Sequence, residues 1–93
     1  MDVNAISHDL DVIKAYNKDP LVHYKISVGL GKVLLQVCKY NLDHAGEFPL
    51  PLLLMHGSAD TIAFPSSSIE FARPLKDTCK LVLWDGGFHE LHN

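Results

Sequence analysis

No two basic residues stand side by side in this sequence, and its eight Lys and Arg are outnumbered by eleven Asp and Glu. A net charge of −3 leaves no positive stripe to track a phosphate backbone, which excludes nucleic acid as a partner. Cysteine is scarce as well. Cys38 and Cys79 are isolated, with no C-x-x-C, so zinc ribbons and dithiol redox motifs drop out. Two reduced packing thiols are expected instead, as fits an intracellular setting. No apolar run approaches the ~18 residues of a membrane-spanning helix, and Met1-Asp2-Val3-Asn4 lacks the positive start of a signal peptide. Neither a transmembrane span nor a leader is therefore expected. Internal repeats and low-complexity segments are also missing. What is present, 47% hydrophobic and 20% charged residues, has the balance of a globular protein rather than a disordered one. A folded chain this short buries only about 60 to 65% of the surface its unfolded form exposes, so its core must be small.

The most informative stretch runs from Pro51 to His92. Pro51-Leu52-Leu53-Leu54-Met55 and Lys80-Leu81-Val82-Leu83-Trp84 are continuous apolar runs, the pattern of parallel strands buried on both faces. Between them, Pro65 and Ser66 suit the start of a helix carrying Ile69, Phe71, Ala72 and Leu75, with Pro74 weakening its last turn near Lys76. Strand, helix and strand make a βαβ unit. Its right-handed crossover brings the loops after Met55 and Trp84 out at one carboxyl edge, where the ligand sites of α/β sheets collect. One loop carries Asp60 and the other His89.

Upstream the periodicity is helical. Ser7 is a suitable N-cap for a first helix through Asp9, Leu10, Val12, Ile13 and Tyr16, and Pro20 biases Asp19 away from helix and closes it. A second helix fits Tyr24 to about Leu42. Ile26, Leu30, Val33, Leu34, Val37 and Cys38 share one face, while Lys25, Lys32 and Lys39 recur every seven residues away from it. Gly29 and Gly31 each cost about 1 kcal/mol relative to Ala, which implies distorted first turns or a close neighbour. Turn formers from Asp43 to Pro49 end the helical pattern. The fold class is therefore α/β, two helices and then a parallel βαβ unit, with a helical segment over 1–46 and the βαβ part over 47–93.

Leu-Leu-Leu-Met-His-Gly-Ser-Ala-Asp at residues 52–60, followed by Gly-Gly-Phe-His-Glu-Leu-His at 86–92, resembles an α/β hydrolase, and more narrowly its monoacylglycerol lipase and lysophospholipase group. The resemblance implies a triad in the chain order serine, acid, histidine. Asp60 matches the acid and His89 the base. Ala15 to Val22 looks like the place where that group's lid returns to the core; the apolar face of the second helix is read as a core face, with an acyl-chain tunnel wall as the alternative that the resemblance offers. No G-x-S-x-G occurs in these residues, so the chain is similar to the C-terminal part of such an enzyme and holds no nucleophile. What the resemblance implies is a serine ester hydrolase acting on lipid-like esters, cytoplasmic or peripheral to a membrane, completed by an N-terminal hydrolase portion or by self-association.

Taken alone, Asp60 has the chemistry of a turn aspartate and His89 that of a solvated loop imidazole. Their joint placement after consecutive parallel strands is what makes them candidates for acid and base. Ser58 is read as a small loop residue and Ser66 to Ser68 as a helix entry, since none has the glycine-flanked elbow of an activated hydroxyl. His89-Glu90-Leu91-His92 is one residue short of H-E-x-x-H, so no metal and no cofactor is expected. His56 is expected to be a packed or hydrogen-bonded histidine, and His8, His23 and His44 to belong to no constellation. The competing function class is a truncated, non-catalytic paralogue that only folds and associates.

Overall fold

The computed structural model describes all residues from Met1 to Asn93. Its elements are helix α1 (Leu10–Lys18), helix α2 (Val28–Asp43), strand β1 (Leu52–Gly57), helix α3 (Pro65–Ala72) and strand β2 (Cys79–Trp84), with single turns of tighter helix at Val3–Ala5 and Ala45–Glu47. The fold class is α/β. β1 and β2 pair in parallel in the register Leu52 with Cys79 through Gly57 with Trp84. α3 is the crossover between them. Pro65 opens this helix, since the missing N–H of a first-turn proline leaves nothing unsatisfied. From Arg73 to Thr78 the chain tightens into a 3-10 turn around Pro74, and Lys76 takes a φ of +50° that lets it reverse into β2.

Both helix starts differ from their expected positions. Asp9 rather than Ser7 caps α1, its carboxylate accepting the Asp11 amide at 2.9 Å. Ser7 is engaged elsewhere, donating to the Asn93 carbonyl at 2.6 Å while accepting the Asp9 amide at 3.0 Å. α2 begins at Val28, not Tyr24, because the Ser27 hydroxyl accepts the Leu30 amide at 3.1 Å and sets the helix entry there. A local bond from the Lys25 amide to the His23 ring precedes it. At the lower end of α1, Asp19 is extended, as a residue before proline should be.

Burial is sparse: apart from Ile13 on α1 and Gly57 and Asp60 at the carboxyl end of β1, it falls in two places. Ala5, Ile6 and Ser7 are buried against the segment after β2, and Ala45 and Leu75 where the α2 exit meets the end of the crossover. Two expectations need correction. α2 has no buried residue, and Leu30, Val33, Leu34 and Val37 are about half exposed. Nothing lies within 4 Å of the positions a side chain would take at Gly29 or Gly31, and the helix runs regularly through both. The strands are covered on one side only. Leu52, Leu54 and His56 face α3 and are partly buried, whereas Leu53 and Met55 on the opposite face are at least half exposed. The sequence pattern was that of a sheet covered on both faces, and no element of this chain lies over the second one. Cys38 is exposed on α2 and Cys79 partly buried, both as free thiols. No helix is long and apolar enough to cross a membrane.

Candidate active site

The two loops at the carboxyl edge of the sheet are tied together by their backbones before any side chain meets. The Ser58 amide donates to the Trp84 carbonyl at 2.9 Å and the Ala59 amide to the Gly87 carbonyl at 3.0 Å. The Ser58 hydroxyl accepts the Gly86 amide at 2.8 Å, so this serine is a fastener between the loops. Gly57 and Gly87 allow the close approach, for a Cβ on Gly57 would fall 2.3 Å from the Gly87 carbonyl oxygen. Gly86 supplies a φ of +71° in the turn that leads to His89.

This frame brings Asp60 and His89 together. Asp60 Oδ2 lies 3.0 Å from His89 Nδ1, and Oδ1 accepts the amides of Ile62 at 2.9 Å and Ala63 at 3.1 Å. Asp60 is only 4% exposed. Burial acts to raise its pKa, but the hydrogen bonds from His89 and from the Ala63 and Ile62 amides outweigh it and hold the carboxyl below its ordinary value. The acid therefore stays ionised at neutral pH and accepts a proton-bearing Nδ1. His89 Nε2 makes no hydrogen bond, and the side chain is 40% exposed on an open cleft of about 610 Å³ lined also by Met55, Trp84 and Leu91.

The sign of the linkage follows from that lowered pKa. Above the ordinary value of 3.8 the ionised, hydrogen-bonded carboxylate contributes its full stabilisation, which is lost as pH falls through the lower native value. Full-length protein and its Asp60→Asn variant should therefore differ in urea-unfolding free energy at neutral pH, and the gap should close on acidification below 3.8. A gap that stays constant across that window would contradict the ionised, bonded state of Asp60.

A segment absent from the sequence-level site holds the histidine loop from outside. The Glu90 amide donates to the Ile6 carbonyl at 2.8 Å and the His89 amide to Ala5 at 3.4 Å. His8 donates through Nε2 to the Gly86 carbonyl at 2.7 Å and stacks on Phe88 with ring centroids 3.7 Å apart. His8 thus has partners that were not anticipated, since contacts across about 80 residues leave no local pattern. His44 is likewise engaged, stacked on Tyr40 at 4.0 Å. His56 bonds on both ring nitrogens, to Ser68 Oγ at 2.6 Å and the Ala63 carbonyl at 2.7 Å. This is the packed, hydrogen-bonded histidine expected at this position, since an imidazole on a covered strand face must find polar partners. No group of three or more His, Cys, Asp or Glu side chains is arranged to hold a metal ion. His56 and His89 both direct a ring nitrogen at the Asp60 carboxylate, not at a shared open point.

A parallel βαβ unit with an acid on one strand-end loop and a histidine bonded to it on the next is the arrangement of an α/β-hydrolase core. The serine aminopeptidase S33 family matches residues 1–93, and the chain belongs to that family. It is 40% identical over 95 residues to an uncharacterized abhydrolase domain-containing protein of Dictyostelium discoideum, covering all of this chain and 10% of that protein. It is 30% identical over 95 residues to the monoacylglycerol lipase of Mycolicibacterium smegmatis, covering all of this chain and 34% of the lipase. The crystal structure of Paleococcus ferrophilus monoacylglycerol lipase superposes with a TM-score of 0.91 at 32% identity, over 97% of this chain and 35% of that one. The chain thus spans about a third of the lipases it matches and corresponds to a C-terminal portion of the α/β-hydrolase fold.

Proposed function

We propose that these residues supply the acid, Asp60, and the base, His89, of a serine hydrolase acting on monoacylglycerol-like or lysophospholipid-like esters. The observation that carries the reading is the 3.0 Å contact between Asp60 Oδ2 and His89 Nδ1, with Nε2 left without a partner on an open cleft. A carboxylate that binds Nδ1–H leaves the lone pair on Nε2, the nitrogen that must take a proton from a serine hydroxyl and return it to the leaving alcohol. The same carboxylate stabilises the imidazolium formed during attack. In this reading the nucleophile and the oxyanion-hole amides come from hydrolase sequence outside residues 1–93, since no G-x-S-x-G lies within them. Residues 1–46 then form the end of a lid and a core helix, and 47–93 the part of the core that carries acid and base. The ester class rests on similarity to proteins named monoacylglycerol lipases, whose substrate would be met in the cytoplasm or at a membrane surface.

A second reading, a non-catalytic fragment that folds and associates, draws on the bare apolar face of α2 and the uncovered side of the two-stranded sheet. An isolated two-stranded sheet is marginal in water, and both readings require that face to be covered. They separate on activity. Full-length protein that contains these residues should hydrolyse a monoacylglycerol, while the 93-residue chain alone should show no ester turnover above background. A full-length protein without esterase activity on monoacylglycerol or lysophospholipid would favour the second reading.

A further inference from the structure

His56 stands beside the acid without a part in the chemistry described so far. It is the last half-buried side chain of β1 on the face covered by α3, and its side chain is only 13% exposed. Its Nε2 lies 2.7 Å from the Ala63 carbonyl and 3.2 Å from Asp60 Oδ2, the oxygen that His89 also approaches. A carbonyl oxygen only accepts, so Nε2 must carry a proton. Nδ1 meets the Ser68 hydroxyl at 2.6 Å, and that hydroxyl donates to it when the ring is neutral. The Ala63 carbonyl thereby selects the ring tautomer, and the nitrogen it bonds lies 3.2 Å from the acid.

We infer that His56 is a positioning residue for Asp60, a neutral ring whose Nε2–H holds the Ala63 carbonyl and sets its polar edge 3.2 Å from the oxygen against which His89 is aligned. This rests on the acid and base assignment proposed above and goes beyond it. Asp60 Oδ1 takes the Ile62 and Ala63 amides and Oδ2 takes His89, with His56 Nε2 lying 3.2 Å from Oδ2. Ala63 is gripped from both sides, its amide on Asp60 and its carbonyl on His56, which closes a ring of contacts around the loop. The titratable groups facing the acid are His56 from β1 and His89 from the loop after β2. α3, packed over the His56 ring, offers Ser68, and the other ion pairs, Lys14 with Asp11 and Lys39 with Asp43, lie on α1 and α2.

The polar N–H edge of His56, 3.2 Å from Oδ2, offsets part of the carboxylate's charge there. Removing it leaves more of the carboxylate's charge to favour the His89 imidazolium, and leaves the carboxylate freer to turn. In the full-length hydrolase, His56→Leu should lower kcat/KM about tenfold, the scale of losing a buried hydrogen bond. Its acidic limb should move to higher pH. His56→Gln, whose amide nitrogen reaches the Nε2 position, should restore the limb and return kcat/KM to within about threefold of the parent. In ¹⁵N-resolved spectra at neutral pH, His56 should carry its proton on Nε2 and not on Nδ1. A limb that stays in place in His56→Leu while the protein only loses stability would reduce His56 to a packing role and overturn the inference. So would a limb that stays displaced in His56→Gln, since the ring would then act through charge. If the unsubstituted hydrolase turns over no ester, the functional reading fails, and the ring is still decided by its tautomer: a proton on Nδ1 or on both nitrogens overturns the donor assignment.

Discussion

Replacing His89 by alanine in the full-length hydrolase should abolish ester turnover. The loss should reach about 10⁴ to 10⁶ in kcat, the range seen when the base of such a triad is removed. His89 is 40% exposed, so the fold should survive. Circular dichroism of the variant should match the parent, with a somewhat lower melt because buried Asp60 loses its bond from His89. Asp60→Asn should act by a different route. An asparagine amide facing Nδ1 offers a donor where the site needs an acceptor, so the imidazole takes the other tautomer and Nε2 loses its lone pair. A fall of about 10⁴ in kcat with KM little changed is expected. Buried Asp60 also anchors the Ile62 and Ala63 amides through Oδ1, which asparagine's carbonyl oxygen can still accept. Turnover in either variant close to that of the parent would remove the acid and base assignment.

The second large effect is expected at Gly57, which touches no reacting group. It ends β1 opposite Trp84, and the loop bearing His89 passes directly over it. A methyl group there would meet the Gly87 carbonyl oxygen at 2.3 Å, the Gly87 carbonyl carbon at 2.5 Å and the Phe88 carbonyl oxygen at 2.5 Å. All three are backbone atoms, so no rotamer change relieves the clash. Gly57→Ala should therefore force the two loops apart, at a cost of about 3 kcal/mol or more. At about 2 to 4 °C per kcal/mol for a domain of 150–250 residues, Tm should fall measurably. Activity should fall further than stability accounts for, because the Ala59 amide to Gly87 carbonyl bond and the Asp60 to His89 contact both span the displaced loops. Unchanged melting and turnover in Gly57→Ala would show that the loops are not held as described.

The βαβ unit and the meeting of Asp60 with His89 were legible in the sequence for one physical reason. Two continuous apolar runs with a proline-started helix between them admit few other arrangements, and chain handedness then decides which edge the loops share. The strand limits were less legible. His56 and Gly57 belong to β1 rather than to the loop, because pairing with Leu83 and Trp84 continues past the apolar residues. Helix starts were misplaced where several capping residues compete. Nothing local distinguishes Ser7 from Asp9 as a cap, and the hydroxyl of Ser7 is engaged by Asn93, 86 positions away. The apolar stripe of α2 was read correctly as a face, but what covers a face is not written in its own periodicity, and here no part of the chain does. The strap of Ala5 to His8 across the histidine loop was invisible for the same reason, being made largely of backbone carbonyls.

Fluorophosphonate labelling of the full-length hydrolase, with the modified residue identified by mass spectrometry, tests the central assignment most directly. The expected result is one labelled serine, in a glycine-flanked elbow outside these 93 residues, with labelling lost in His89→Ala and absent from the 93-residue chain alone. Label on Ser58 or Ser66, or labelling undiminished in His89→Ala, would contradict it.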